Sequence, residues 1–397
     1  MSWIIWGSVG IVFLTLFIVI WQKPGVIATV RPFNEWTFTH MNVLLPVADV
    51  QKADQPIGLT ETAGLPAFEY EFAGKKCTLS DLHKHTNTTS FIVVHNGKIL
   101  AEEYPGRFAA AGVRFQAYSV TKSITSILIG IAIDRGIIGS INDPVTKYAS
   151  KVSGTAFEGR TIGHLLDMSS GVGELEDWTI KDAAINRLET AVVTGGSVLE
   201  ITRSLPEMSA PDIEFNYSTF DTDVLGWVIE EAVGKPLAEI CSEWLWQPIG
   251  AENDAYYFLT RGKPREALGG ASFNASTRDL ARVGMLMANG GRVYNGEEML
   301  QVVSTEWVKC SHGSSKAHLA VGALGPSGYP HYGYSNQWWT LGGKTKAFTG
   351  LGVHGQFLWV DPERDLVIVK TSAWNSPDDE ARDLETVTAF KALAEMF

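Results

Sequence analysis

The chain has 397 residues, 45% of them hydrophobic and 19% charged, with a formal net charge of -12. That length supports one or two domains with a large core, and the composition is not that of a disordered chain. So acidic a chain is a poor match for nucleic acid, whose phosphates require clustered Lys and Arg, and plain solubility accounts for the charge.

The N-terminus reads as a membrane segment. No charge interrupts the stretch from Ser2 to Gln22, and at 1.5 Å per residue such a run crosses a hydrocarbon layer of about 30 Å. Trp3, Trp6 and Trp21 fall near its ends, where indoles favour the interface. A cleaved signal peptide is the rival, with Val26 and Ala28 as a small-residue cleavage site, but the leading residues carry no Lys or Arg and the run is long for that role. Lys23 and Arg31 follow the span, so the flanking charges fix no orientation. Residues 1–22 are therefore expected to be a transmembrane helix or uncleaved anchor. Residues 23–55, with Pro24, Pro32 and Pro46 and little periodicity, are expected to be a linker, and 56–397 the folded domain.

Next comes a hairpin. Two β-branched runs in "TSFIVVHNGKILAEEY" (89–104) flank Asn96-Gly97, the preferred pair of a type I′ turn. A helix follows in "SITSILIGIAIDRG", with Gly136 as its C′ residue. Shorter helical signals occupy 161–171, 218–236 and 277–291, each ended by glycine. A second hairpin, 355–372, turns at Asp361-Pro362-Glu363-Arg364. The C-terminal segment is amphipathic, with Leu384, Val387, Phe390, Leu393 and Phe397 on one face. Strands near both ends with helices between them predict an α+β domain: a sheet assembled from both ends of the chain, flanked by helices, with a helical subdomain over roughly 140–330.

The chemistry centres on Ser119 and Lys122, neighbours at i and i+3 on the surface of that first long helix. A serine hydroxyl is a weak nucleophile that needs an adjacent base. Lysine serves as one only if burial lowers its pKa from about 10.4, and the apolar run after Lys122 supplies burial there. Ser-x-x-Lys also arises by chance about once in a chain this long, and a snorkelling lysine is the plain alternative. Position favours chemistry, because Ser119 opens a helix whose free N–H groups could serve an oxyanion. Tyr217, ahead of the 218–236 helix, is a proton relay if it lies beside the lysine and otherwise a half-buried tyrosine. "TGLGVHGQF" (349–357), with Gly352, lets the backbone approach a ligand closely, or is simply a turn.

Ser-x-x-Lys, a distant tyrosine and a Gly-rich strand together resemble the serine β-lactamase and penicillin-binding superfamily. More narrowly the chain resembles its 6-aminohexanoate-dimer hydrolase (nylon-oligomer hydrolase) and esterase branch. The matching pieces are "SVTKS", "TIGHLLDMSSGV", "YSTFDTDVLGW", "TRDLARVG", "NQWW" and "GLGVHGQFLWVDPERDLVIVKTSAW", in order over about 85–375. The resemblance implies a β-lactamase/transpeptidase-like fold. It implies Ser119 as acylated nucleophile, Lys122 as its base, Tyr217 as proton relay, and the N–H groups of Ser119 and Val353 as an oxyanion hole. Trp339 resembles a residue lining the acyl pocket, and Gly352 and His354 join it as substrate-binding candidates, although a structural role suits His354 better. Two departures bear on substrate. Tyr217-Ser218-Thr219 lacks the amide of Tyr-x-Asn, and "VHG" replaces the Lys-Thr-Gly that anchors a β-lactam carboxylate; Lys344-Thr345-Lys346 lies too far upstream to replace it.

The expected activity is hydrolysis of a small-molecule amide or ester. A D,D-peptidase or β-lactamase is the alternative within the same chemistry, and a non-catalytic membrane sensor the alternative outside it. "GGKT" (342–345) has Trp338 where a P-loop needs its first glycine. The histidines are scattered without a His-Glu-x-x-His pair, and Cys77, Cys241 and Cys310 have no zinc or redox spacing. No metal or organic cofactor is therefore expected. The superfamily implies an extracytoplasmic (periplasmic) domain on a single-pass anchor.

Overall fold

The computed structural model describes residues 29–397, apart from Ala63, Asn295, Gly343, Lys344 and Thr345. The expected transmembrane segment 1–22 lies outside the described residues. Among the described residues no helix is long and apolar enough to cross a membrane.

Sixteen strands are present among these residues. In chain order they are β1 (Val47–Val50), β2 (Thr60–Glu61), β3 (Glu69–Phe72), β4 (Lys75–Thr78), β5 (Thr88–His95), β6 (Lys98–Glu103), β7 (Arg114–Gln116), β8 (Ala255–Phe258), β9 (Phe273–Ser276), β10 (Arg292–Tyr294), β11 (Met299–Gln301), β12 (Gly333–Ser335), β13 (Trp338–Thr340), β14 (Phe348–Gly352), β15 (Gln356–Asp361) and β16 (Leu366–Ser372). Eight of them make the main sheet, in the order β12-β13-β14-β15-β16-β5-β6-β2.

The two hairpins read from the sequence are its centre. Asn96 and Gly97 both take positive φ, 49° and 71°, as a type I′ turn requires. β16 pairs antiparallel with β5 from Leu366↔His95 onward, so the sheet is assembled from both ends of the chain, as expected. The one parallel contact is β2 on β6 at the edge. Side chains alternate across the sheet with the period of two that pleating imposes. Ile92, Val94, Leu358, Val360, Val367 and Val369 enter the larger core. Phe91, Val93, Phe357, Trp359, Leu366 and Ile368 enter a second core. Both faces are thus covered by helices.

The C-terminal helix, Glu380–Ala394, covers the second core with Val387, Phe390 and Leu393. Its apolar face is narrower than the sequence suggests: Leu384 and Phe397 are exposed, while Asp383 and Glu385 are buried and take hydrogen bonds from His331 and Tyr70. The larger core is built around the helix Val120–Asp134, in which every residue from Val120 to Ala132 is buried. The apolar residues of this helix fill the core on most sides, and its buried hydroxyls on the remaining face are hydrogen-bonded to loop carbonyls.

Two expectations about domain organisation need correction. The segment expected to be a linker is part of the domain from Asn34 onward: two short helices, Asn34–Thr37 and Met41–Leu44, lead into β1, which pairs along its length with β8. Apolar residues such as Phe38 and Val50 are buried there; they were too sparse to give a periodic signal. The region 140–330 is also not wholly helical. It contributes β8 and β9 to a second sheet, β1-β8-β9-β7, and its helix Thr277–Ala288 packs on β15 and β16 of the main sheet. The helical part proper ends near Trp246.

Candidate active site

Ser119 is the N-cap residue of the helix Val120–Asp134. The loop before it is pinned to two neighbours: Ala117 N–H donates to Phe273 O (2.9 Å) and Gln116 N–H to Phe38 O (2.8 Å). Tyr118 takes φ of 47°, a left-handed conformation that costs a bulky residue on the order of 1–3 kcal/mol and persists only where surroundings enforce it. The turn presents the Ser119 hydroxyl at the head of the helix, whose first N–H groups are taken up by the turn itself: Val120 N–H donates to Ala117 O, Thr121 N–H to Tyr118 O and Lys122 N–H to Ser119 O.

Lys122 does not snorkel. It is 1% exposed, and its Nζ donates to Ser119 Oγ (3.0 Å), Thr219 Oγ1 (3.0 Å) and Gly270 O (2.9 Å). Burial pulls the amine down to about 8, against the opposing pull of Glu176 and Asp223. The contacts suit both of its charge states. The ammonium donates all three hydrogens; the neutral amine keeps two for Thr219 and Gly270 and turns its lone pair to the serine proton.

Tyr217 directly precedes Ser218, which caps the helix Thr219–Val233 by accepting from Asp221 N–H. Its ring lies 4.9 Å from Lys122 Nζ, and its hydroxyl faces the Ser119 side chain. Burial, with Glu176 adding to it, pushes that hydroxyl well above its ordinary value, so it is held protonated. Ser119, Lys122 and Tyr217 are therefore brought together at one point. Replacing Tyr217 with phenylalanine keeps the ring against Trp339, 5.4 Å away, and removes only the hydroxyl. We expect kcat/KM for p-nitrophenyl esters to fall by about 10²–10⁴ while the melting temperature, read by circular dichroism, stays put.

Trp339 is on β13, 6% exposed, within an aromatic wall of Phe215, Tyr217, Tyr332 and Tyr334. The preceding turn explains how it gets there. Asn336 and Gln337 both take positive φ, and Gln337 Nε2 donates to Leu165 O (2.8 Å) while Thr222 Oγ1 donates to Gln337 Oε1 (2.9 Å).

The Gly-rich strand meets the helix head-on. A Cβ at Gly350 would lie 3.0 Å from Ser123 Oγ, and one at Gly352 only 2.5 Å from the Ala117 carbonyl oxygen. These two glycines let β14 lie against the loop carrying Ser119, and Val353 follows in the turn between β14 and β15. Gly352→Ala is expected to cost about 1–3 kcal/mol of stability, the usual range for overpacking, and to slow acylation; urea unfolding and burst kinetics on an activated ester check both. Gly352 thus has a packing role. His354 must be corrected as a substrate contact: it is 2% exposed, and its Nδ1 is bonded to Trp374 O at 2.9 Å. Its ring packs on Phe38 and Tyr118, and burial lowers its pKa to about 4, as befits a neutral structural histidine.

Sequence reasoning missed three groups beside Lys122. Gly270 N–H donates to Asp223 Oδ1 at 2.9 Å, so Asp223 holds the turn whose carbonyl accepts from Lys122. Glu176 accepts from the N–H and hydroxyl of Thr219. Burial raises the carboxyls of both, Asp223 to about 7. Asp223 carried a weak signal, one of two acids, with Asp221, in a helix whose residues Thr219–Ile229 are all buried; Glu176 and Gly270 sit in loops with none. One further convergence, Cys77 with His85 and Glu385, could offer three ligand atoms to a metal, but Glu385 is already bonded there to Tyr70 and His85 (both 2.7 Å).

A buried amine against a serine at the head of a buried helix, beside an antiparallel sheet, defines a serine hydrolase of the penicillin-recognising fold. The chain belongs to the Beta-lactamase family, whose model matches residues 64–392. Within it, the 6-aminohexanoate-dimer hydrolase of Paenarthrobacter ureafaciens is 32% identical over 355 residues, 87% of each chain. Esterase EstB of Burkholderia gladioli is 29% identical over 178 residues, 40% of this chain and 44% of its own. A solved Bacillus anthracis structure, provisionally assigned as a 6-aminohexanoate-dimer hydrolase, superposes with a TM-score of 0.80 at 26% identity, covering 93% of this chain and 96% of that one. The protein is a serine hydrolase of the amidase and esterase kind.

Proposed function

We propose that this protein is a membrane-tethered hydrolase that cleaves a small-molecule amide or ester through an acyl-enzyme on Ser119. The observation that carries the reading is the buried Lys122 amine 3.0 Å from Ser119 Oγ, with the Tyr217 ring 4.9 Å from the same amine. In the first half-reaction Ser119 Oγ attacks the carbonyl carbon and its proton passes to neutral Lys122. The N–H groups of Ser119 and Val353 receive the oxyanion. Tyr217, held protonated, gives its proton to the departing nitrogen or oxygen and regains one from Lys122. Water then attacks the acyl carbon, its proton retraces the same path, and the acid leaves Ser119 free. The relatives' names, one an amide hydrolase and one an esterase, support either bond.

The uncharged stretch Ser2–Gln22 supports a single-pass anchor, and the likeness to the penicillin-binding superfamily, not the flanking charges, supports a catalytic domain outside the cytoplasm. The turn after β14 offers Val353 and His354 where a β-lactam carboxylate would need a cation, which argues against D,D-peptidase or β-lactamase activity. A panel of p-nitrophenyl esters, linear 6-aminohexanoate oligomers and nitrocefin on the purified enzyme tests the reading. Turnover of an ester or amide with none of nitrocefin is expected; turnover of nitrocefin alone would favour the alternative. Retention of full-length protein in carbonate-washed membranes tests the anchor.

A further inference from the structure

Three rings meet behind the nucleophile, and one of them belongs to neither the Ser119 loop nor the Val353 turn. Phe38 packs edge-on against Tyr118 at 5.1 Å and tilted against His354 at 5.0 Å, and those two rings are 5.3 Å apart. Tyr118 directly precedes Ser119 and His354 directly follows Val353, so each flanks one proposed oxyanion donor. Both hold left-handed backbone, φ 47° and 62°, which side chains this large adopt only under constraint. Val353 itself packs on the cluster of Phe38, Tyr118 and Ala373.

The segment bearing Phe38 is fixed to both sides of the hole. Its carbonyl accepts from Gln116 N–H on the nucleophile side. Asn34, 0% exposed, donates from Nδ2 to Ala373 O (3.2 Å) and Trp374 O (3.3 Å). Trp374 O also receives His354 Nδ1, and Trp374 N–H donates to His354 O, which ties the second side to the oxyanion turn. Without this segment the two loops would be joined by the Tyr118–His354 ring contact and by the close approach of β14 to Ala117 and the Ser119 helix, with nothing packed against the two rings from the N-terminal side.

We infer that Asn34–Phe38 is a clasp that sets the spacing of the two oxyanion donors, with Phe38 and Asn34 as positioning residues. The inference rests on the Ser119 and Val353 reading above. It also gives the segment that leads from the apolar N-terminal stretch a direct hold on catalysis, so activity depends on chain that would pass for a linker.

Full-length Phe38→Ala and Phe38→Leu, beside wild type, test it with two readouts: kcat and KM on a p-nitrophenyl ester, and the rate of fluorophosphonate labelling, whose phosphoryl oxygen occupies the same hole. For Phe38→Ala we expect kcat and labelling rate to fall together by about 10–10³, the upper end being the loss of one oxyanion donor, with KM within about threefold of wild type. Phe38→Leu, which keeps apolar bulk, is expected to recover part of the loss, and it decides the matter if the alanine variant does not fold. Wild-type kcat and labelling in either folded variant, or a raised KM at unchanged kcat, would overturn the clasp. Wild-type enzyme that takes no label would overturn the Ser119 reading and the clasp with it, which separates the two failures.

Discussion

Ser119→Ala is expected to abolish turnover, by on the order of 10⁴–10⁶ in kcat, the scale seen when the nucleophile of a hydrolase is removed. The hydroxyls next along the helix are already engaged, and Thr219 Oγ1 donates to Glu176. Ser123 Oγ donates to Gln337 O (2.9 Å), Ser126 Oγ to Asn336 O (2.8 Å) and Thr125 Oγ1 to Gly269 O (2.6 Å), so the polar face of the helix is committed to holding loops. The fold should survive the substitution. Lys122 keeps Thr219 and Gly270 as acceptors, and the helix has no side-chain cap to lose at Ser119. The check is steady-state hydrolysis of an activated ester alongside thermal unfolding: activity at background and an unchanged melting temperature are expected.

The second large effect is that of Lys122→Met. It removes the base and leaves Thr219 Oγ1 and Gly270 O without that donor, and kcat/KM should fall by about 10³ or more, at or above the scale of a positioned general base. The pH profile gives a sharper signature. Lys122 is lowered to about 8, and only its neutral form accepts the serine proton. Wild-type kcat/KM should therefore drop about tenfold per unit as pH falls below about 8, and level off above it. The groups facing the amine are Glu176, Asp223 and Tyr217. The two acids pull its pKa upward, so neutralising Asp223 as asparagine should move the limb to lower pH. In Lys122→Met the limb should vanish from whatever activity remains. Rates measured between about pH 6 and pH 10 decide it, because a snorkelling lysine would leave the profile unmoved.

Much of this site is legible in the sequence. Asn96-Gly97 fixed one hairpin through the φ values a type I′ turn demands, and Gly234 ended its helix in the left-handed conformation with φ 74°. Ser119 and Lys122 could be paired because i and i+3 are neighbours on any helix. Tyr217 stood out only as a polar aromatic ahead of a helix, and its role, like Val353, came from resemblance, since contacts across such separations depend on the whole topology. The same reason hid Glu176 and Gly270, whose loops carry no period and gain meaning only when Thr219 and Lys122 arrive beside them. The segment from Asn34 to Val50 was misread for a related cause. Its pairing partner, β8, lies in the middle of the chain, and its buried anchors, Asn34, Phe38 and Val50, follow neither a helical nor a strand period. Asp383 and Glu385 broke the amphipathic reading of the last helix because their burial depends on His331 and Tyr70, both distant in sequence.

The central claim is that a Lys122-activated Ser119 forms a covalent acyl intermediate. The most direct measurement is fluorophosphonate labelling of the full-length protein, with the modified peptide identified by mass spectrometry, in wild type, Ser119→Ala and Lys122→Ala. Label on Ser119 in wild type, none in Ser119→Ala and a strong loss in Lys122→Ala is the predicted result. A well-folded wild type that takes no label, or takes it on another residue, would contradict the account and return Lys122 to a structural role.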